Sequence, residues 1–315
     1  MNNLLDPAIL FFVFGILAGL VKSNLEIPNQ ITKFLSLYLL MALGLKGGFA
    51  LSKGGFTNEI TAVIAIGLFL ALLIPAIGYV LLRKVLNGYD SAAVAATYGS
   101  VSAVTFVTAT QYLTNNNIEF GGYMAAVMAL MESPAIIMAV ALAAYTRADS
   151  NIKIGVGKIL HESFTDGAHI LLLAALAIGM ITGTDGESVM KPFTGDLFKG
   201  LLAFFLLDMG LQVAKRIPEL KNQSISLLVY AFIAPLIHSA IALVLCLIFN
   251  VSVGNTALLM VLAASASYIA VPAVVKFAIP EANPSIYFGL SLGLTFPFNV
   301  LFGIPFYTEI ARRFL

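Results

Sequence analysis

Long apolar segments, separated by short polar or Gly-, Pro- and Asn-containing stretches, run along the whole chain. A helix that crosses a bilayer core needs roughly 20 consecutive apolar residues, and the pattern supplies this length repeatedly. It predicts membrane spans at 7–22, 28–52, 59–83, 90–114, 119–146, 166–183, 193–214, 223–249, 254–278 and 284–311. We therefore predict an all-α integral membrane protein with ten transmembrane helices.

The two sets of five spans resemble each other in the order of their features. Residues 96–134 combine an apolar segment interrupted by small polar residues, a polar turn and a Pro-containing apolar segment, and residues 262–297 repeat this organisation. Residues 40–45 and 205–211 also match, each on the second span of its half. Because five is odd, the second half must enter the membrane from the opposite side, which predicts inverted repeats.

A hydrophilic stretch, 147–162, divides the halves. We assign a first inverted repeat to 1–150, a short cytoplasmic linker to 151–165 and a second inverted repeat to 166–315. Most Lys and Arg residues lie in the loops after odd-numbered spans, and positive charge marks the cytoplasmic side. Both termini are therefore expected outside the cell or in the periplasm, and the segment 1–7 lacks the basic start of a cleavable signal peptide.

Composition supports this picture and excludes several function classes. Hydrophobic residues make up 60% of the chain and charged residues only 10%, whereas about 25% of residues are charged in soluble domains. The single cysteine, Cys246, rules out a disulfide framework, and a net charge of +1 gives no reason to propose nucleic acid. Without a phosphate-binding loop or a metal-site spacing, we expect no enzyme, no ATP-driven pump and no organic cofactor.

Two interrupted segments, 99–105 and 264–272, are the candidate substrate site. Gly99 permits unwinding, and Pro272 lacks an amide donor. Positive helix N-termini can hold an anion, while freed carbonyls and hydroxyls can coordinate Na⁺, so the two breaks should meet near the membrane midplane. The predicted substrate contacts are Gly99, Ser100, Ser102, Ser265, Ser267 and Tyr268. The alternative is that these small residues only let helices pack closely.

Acidic residues inside apolar spans are the candidate ion ligands. A charge at the bilayer centre costs about 2.5–3.5 kcal/mol on insertion scales, so Glu132 and Asp208 suggest function. Asp208 could instead form an ion pair with Lys46 on the pseudo-symmetric span, and a lone His238 is better explained as structural. The predicted ion contacts are Thr105, Glu132, Asp208 and Ser267, with Na⁺ at Ser102, Thr105, Glu132 and Ser265.

Several stretches resemble the sodium-dependent bicarbonate transporter family of cyanobacteria and other bacteria. They are 44–48, 99–102, 131–135, 233–238, 263–267 and 278–285, and the similarity keeps its order over nearly the whole chain. The resemblance implies a core domain with two crossed broken helices and a gate domain that forms a homotrimer. It also implies elevator-type Na⁺/bicarbonate symport across a bacterial inner membrane.

The chain departs from the cyanobacterial pattern at three places: the residues after Ser102, the second break and the linker. It has Ala103, Val104, Tyr268, Ala270 and Val271 where that pattern is more polar, so the site is less polar here. The short linker reduces the expectation of a PII-like regulatory partner. We predict a Na⁺-coupled symporter of bicarbonate or another small anion; the alternatives are a Na⁺/H⁺ antiporter in which Glu132 or Asp208 titrates, and a non-transporting receptor or scaffold.

Overall fold

The described part of the computed structural model, residues 5–55, 58–146, 167–221 and 223–315, contains helices and connecting segments but no β-strand. This confirms the prediction of an all-α protein for these residues. The helices are α1 (Pro7–Leu20), α2 (Asn29–Gly54), α3 (Asn58–Leu82), α4 (Gly88–Gly99), α5 (Ala103–Asn115), α6 (Met124–Thr146), α7 (Gly167–Lys191), α8 (Leu197–Leu220), α9 (Ile225–Ile248), α10 (Val253–Ala264), α11 (Ala270–Ala278) and α12 (Pro284–Phe314).

The helices form a multi-pass membrane protein. Within the described residues, seven helical stretches are long and apolar enough to cross a membrane, and α1 and α10 are shorter apolar helices. Large aliphatic side chains cover the outer surface; Ile181 is 84% exposed and Ile225 79% exposed. Such a surface fits lipid rather than water. The count of ten spans stays a prediction, and the linker 151–165 lies outside the described residues.

Local chemistry explains several helix boundaries. Asp6 caps α1, because its Oδ1 accepts a hydrogen bond from the Ala8 amide at 2.9 Å, and Pro7 occupies the first helical position. Gly183 has a φ of 54° inside α7, a conformation that favours glycine and kinks the helix where the sequence predicts the span to end. The helix α12 contains π-helical stretches at Gly289–Thr295 and Asn299–Gly303.

Four helices, α1, α2, α7 and α8, form one packed group, which we call the scaffold helices. Within it α1 packs on α8, and α2 packs on α7. Backbones approach closely at both contacts: a Cβ atom on Gly210 would lie 2.2 Å from the Phe12 carbonyl oxygen, and one on Gly48 would lie 2.2 Å from the Leu176 carbonyl oxygen. Small residues at these positions permit the close approach that stabilises helix pairs in lipid.

The helices α3 to α6 and α9 to α12 form the second group, which we call the site helices. At one end of it, Asp90 Oδ1 accepts a hydrogen bond from the Asn283 amide at 2.7 Å. At the other end, Asn255 Oδ1 accepts one from the Gly121 amide, also at 2.7 Å. Asp90 is the third residue of α4 and Asn255 the third residue of α10, so corresponding positions tie down opposite loops.

We call these two hydrogen bonds, from the Asn283 amide to Asp90 and from the Gly121 amide to Asn255, the latches. Loss of either latch is expected to destabilise the site helices. Asp90→Ala and Asn255→Ala each leave a loop amide without its acceptor, which costs roughly 1–3 kcal/mol in the free energy of unfolding. The measurement is thermal unfolding of purified protein in detergent. Asn116→Ala is the control, since the Asn116 side-chain amide directly after α5 donates only to the Tyr112 carbonyl at the end of that helix. An Asp90→Ala protein as stable as Asn116→Ala would contradict the latch.

Candidate functional site

The first interruption separates α4 from α5. Ser100 and Ser102 have extended backbone conformations, and Ser102 caps α5 by accepting hydrogen bonds from the Thr105 amide at 3.2 Å and the Thr105 hydroxyl at 2.9 Å. A Cβ atom on Gly99 would lie 2.6 Å from Pro75 on α3. Gly99 is therefore needed for this close contact, and the predicted break is present in the structure.

The second interruption separates α10 from α11. Ser265 is extended, and Ser267 Oγ accepts a hydrogen bond from the Val271 amide at 3.3 Å, near the start of α11. Pro272 does not itself break a helix, contrary to the sequence-based explanation. It lies in the first turn of α11, where amides have no partner within the helix and proline is tolerated.

The two interruptions touch each other, as the sequence predicts. The Ser102 amide donates to Ser265 Oγ at 2.9 Å, and the Ser267 amide donates to the Thr97 carbonyl at 2.8 Å. These serines are at most 4% exposed. Backbone groups released by one helix are thus satisfied by the other, so small residues here do more than allow close packing.

Ser100 is the polar residue in the first break that has no such role. Its Oγ is buried and has no hydrogen-bond partner among the described residues. An unsatisfied hydroxyl of this kind costs roughly 1–3 kcal/mol. This hydroxyl lies two residues before the capping Ser102 and has a free hydrogen-bonding capacity for a ligand.

Tyr268 lies where the second break meets the scaffold helices. Its hydroxyl donates to Met209 Sδ on α8 at 3.8 Å, and its ring packs edge-on against Phe296 at 5.2 Å between centroids. The Ser102 side chain also faces the hydroxyl. Tyr268 therefore fills space between the breaks and α8, at a position where it can contact both a ligand and the scaffold.

The structure places Asp208 among the scaffold helices and excludes the suggested ion pair with Lys46. Asp208 Oδ2 accepts hydrogen bonds from Thr32 Oγ1 at 2.6 Å and from Gln212 Nε2 at 2.9 Å. Lys46 Nζ instead lies 3.9 Å from the centroid of the Phe198 ring, and no described ion pair joins it to Asp208. Thr32 and Gln212 thus stabilise a buried carboxylate for which the described residues supply no ion-pair partner.

Glu132 is half-buried on α6, a helix that packs against α3, α4 and α11. This places it among the site helices, whereas Asp208 belongs to the scaffold helices. The structure therefore divides the predicted ion ligands between the two groups. Ser102 and Thr105 share a direct hydrogen bond, and Ser265 is joined to Ser102.

Sequence reasoning missed the polar residues of α12 that support the breaks. Asn299 Nδ2 donates to the Ala264 carbonyl at 2.8 Å, which satisfies the last residue of α10, and the Tyr307 hydroxyl donates to Asn299 Oδ1 at 3.0 Å. Thr295 bonds the Tyr98 hydroxyl at 2.6 Å just before the first break. A buried amide within an apolar span, as at Asn299, was the available signal.

His238 lies against the same end of α10. The side chain is buried beside the Ala263 backbone, and its Nδ1 has no partner among the described residues. Its contact with a helix end that leads into the second break agrees with the structural role that the sequence favours.

Two cavities lie near the end of the molecule that contains Asp6 and Asn115, which we call the Asp6 face. The larger has a volume of about 690 Å³ and lies between α1, α5 and α8; the smaller has about 180 Å³ and lies between α2, α5 and α6. Gln111 lines both. At the opposite end, which contains Asp90, Arg216 on α8 covers the Phe288 ring at 4.9 Å.

Comparison with known protein families identifies a family to which the chain is related. The family described as the Na⁺-dependent bicarbonate transporter superfamily matches residues 7–312, which is nearly the whole chain. A search of individual curated proteins finds no match.

Proposed function

Because the chain belongs to the Na⁺-dependent bicarbonate transporter superfamily, we propose that it is a secondary active transporter that couples Na⁺ movement to uptake of bicarbonate or another small anion. The observation that carries this proposal is the contact between the two breaks, where the Ser102 amide donates to Ser265 Oγ at 2.9 Å. Paired broken helices of this kind form substrate and ion sites in secondary transporters.

The chemistry of the breaks suits an anion together with Na⁺. The N-terminal ends of α5 and α11 both lie at the breaks, and helix N-termini carry partial positive charge that favours an anion. Hydroxyl and carbonyl oxygens suit a hard cation, and Ser102, Thr105 and Ser265 supply them within one connected cluster. Ser100 and Ser267 complete the proposed anion site, and Glu132 remains a proposed Na⁺ ligand.

Helix contacts support the proposed inverted repeat. The sequence match that pairs Gly44 with Gly210 also pairs Gly48 with Ala214. Gly44 contacts Ala175 and Gly48 contacts Gly179 at the α2–α7 crossing, while Gly210 contacts Gly15 and Ala214 contacts Gly19 at the α1–α8 crossing. Paired positions therefore make equivalent contacts. The matching latches at Asp90 and Asn255 support the same symmetry.

An elevator mechanism requires the site helices to move past the scaffold helices. Their contact near the breaks is largely apolar and aromatic: Phe12 on α1 packs edge-on against Phe296 on α12 at 5.4 Å, and the Tyr268 hydroxyl contacts Met209 Sδ on α8 at 3.8 Å. Such surfaces can slide without breaking buried ion pairs. Cavities at the Asp6 face fit one of two alternating states. We propose that this face is extracellular or periplasmic in a bacterial inner membrane.

Coupling follows if Na⁺ and the anion each stabilise the state that binds the other. The linkage is reciprocal, so each ligand raises the affinity for its partner by the same factor. A shared cluster provides this directly, since Ser102 and Ser265 belong to both proposed sites. Bound Na⁺ would then offset the charge of the anion.

The test is uptake of radiolabelled bicarbonate into proteoliposomes at fixed pH, with and without an inward Na⁺ gradient. We expect Na⁺-dependent uptake by the wild type and losses of about 10-fold or more in Ser267→Ala and Glu132→Gln, because the first removes a buried hydroxyl and the second removes the charge of a proposed Na⁺ ligand. A rate of bicarbonate uptake that is the same with and without the Na⁺ gradient would contradict symport. Na⁺ flux that depends on pH but not on bicarbonate would instead support an antiporter.

A further inference from the structure

Lys46 is a membrane-embedded lysine on α2 for which the described residues supply no carboxylate partner. Its Nζ lies over the Phe198 ring, 3.9 Å from the centroid. A cation–π contact stabilises a cation by about 0.5–2 kcal/mol, less than the desolvation of an ammonium group costs. The position of Lys46 thus leaves a positive charge with incomplete compensation.

This ammonium group lines the smaller cavity together with polar residues of α5. Gln111 Nε2 uses one of its two N–H groups on Asn115 at 2.7 Å, so the other remains for a ligand. Thr110 and Thr114 donate their hydroxyls to backbone carbonyls at 2.8 Å and present only oxygen lone pairs. The free donors of this cavity therefore come from Lys46 and Gln111.

A second lysine, Lys199, lines the larger cavity. Lys199 is exposed, lines the larger cavity with Gln111, and lies close enough to Lys46 for the two charges to repel. Among the described residues that line the larger cavity, the carboxylate is Asp6, which accepts hydrogen bonds from the Ala8 amide and from Asn115 Nδ2, each at 2.9 Å. Lys46 and Lys199 thus line two cavities that meet at Gln111, and the carboxylate among their described lining residues serves as a helix cap.

We propose that Lys46, Gln111 and Lys199 form a capture site for a small monovalent anion at the Asp6 face, separate from the serine breaks. This inference rests on the proposed function for the identity of the anion as bicarbonate. Two like charges for which the described residues supply no ion-pair partner favour an anion between them, and each lysine offers N–H donors to oxyanion oxygens.

Size and position agree with this role. Water occupies roughly 30 Å³ per molecule, so a cavity of about 180 Å³ accepts a small oxyanion with a few waters but not a large organic anion. Phe106 lines its inner end and lies four residues after Ser102, about 6 Å along the helix axis. An anion in this cavity could therefore approach the first break to within about one helical turn, and the lysines would raise its local concentration.

The chain contains no tryptophan, which allows a single fluorescent reporter. Phe120→Trp places an indole at the half-buried edge of the smaller cavity. We would titrate iodide, an anionic quencher, into this full-length protein in detergent and Na⁺-free buffer, then displace it with bicarbonate. Lys46→Met in this background should weaken iodide binding about 10-fold or more, the effect of one charged hydrogen bond. Lys199→Met should weaken it less, because an exposed charge is screened.

Matched variants separate a site from general electrostatics. Lys191→Met removes an exposed lysine that lines neither cavity and should leave iodide quenching unchanged. Lys46→Arg keeps the positive charge and should bind iodide with an affinity similar to that of the parent. Acrylamide, a neutral quencher, should act equally on all variants and so reports any change in folding. Equal iodide affinity in Lys46→Met and the parent, or an equal loss in Lys191→Met, would overturn the capture site.

Failure of this site and failure of the proposed function give different results. A parent that shows Lys46-dependent quenching but no Na⁺-dependent bicarbonate uptake keeps the capture site and contradicts the proposed transport. A parent that takes up bicarbonate under a Na⁺ gradient but shows no Lys46-dependent quenching contradicts the capture site alone.

Discussion

Gly48→Ala is expected to prevent the scaffold helices from assembling, with little folded protein recovered. The added methyl group would lie 2.2 Å from the Leu176 carbonyl oxygen and 2.7 Å from the Gly179 Cα. Both are backbone atoms, so no side chain can rotate away and α2 must separate from α7. Overpacking costs roughly 1–3 kcal/mol or more, which exceeds the gain of about 1 kcal/mol in helix propensity.

Gly54→Ala is the matched control, since Gly54 lies in the same helix and has nothing within 4 Å of an added Cβ. The measurement is the yield of monodisperse protein and its thermal stability in detergent. The α1–α8 crossing should behave in the same way, with Gly210→Ala damaging and Gly200→Ala neutral. If Gly48→Ala were as stable as Gly54→Ala, close packing at this crossing would not hold the fold together.

Ser265→Ala is expected to lower Na⁺-dependent uptake by about 10- to 100-fold. The change removes the acceptor of the Ser102 amide, and an unsatisfied buried donor costs roughly 1–3 kcal/mol. The change thus removes a direct hydrogen bond between the two interrupted segments and also removes a proposed Na⁺ ligand. The first of these effects disturbs the position of α5, and the second weakens coupling.

Ser239→Ala is the control for Ser265→Ala. Ser239 is also buried, on the neighbouring α9, but its hydroxyl donates only to the Leu236 carbonyl of its own helix at 2.9 Å. Uptake by Ser239→Ala should stay within about 2-fold of wild type, as for sites away from special contacts. Equal uptake by the two variants would show that the hydroxyl contact between the breaks has no part in transport.

The breaks were predictable from sequence because their causes are local. Gly99 and the closely spaced serines 265 and 267 interrupt long apolar runs. Small and polar residues at such positions indicate a break in a membrane helix, because backbone groups freed within lipid need polar partners. The membrane-spanning helices were predictable for the same reason, since length and apolarity are properties of each segment alone.

Contacts between distant segments were not predictable in this way. The sequence allowed Asp208 to pair with Lys46, but Asp208 bonds Thr32 and Gln212 because the rotation of α2 and α8 about their axes decides which side chains meet. Asn299 supports a carbonyl 35 residues earlier in the chain, a pairing that only the packing of α12 on α10 creates. Site roles for Glu132 and Asp208 stay predictions.

The polar residues on the two scaffold halves do not share the symmetry of the glycines. The match that pairs Gly44 with Gly210 pairs Lys46 with Gln212, which donates to Asp208. A cation therefore lies on one half where the other half holds a carboxylate nearby. If the substrate is the proposed anion, this asymmetry would give a lower half-saturating concentration for uptake from the Asp6 face than from the opposite face. The final ratio of anion concentrations across the membrane would still be fixed by the coupled Na⁺ and anion gradients alone.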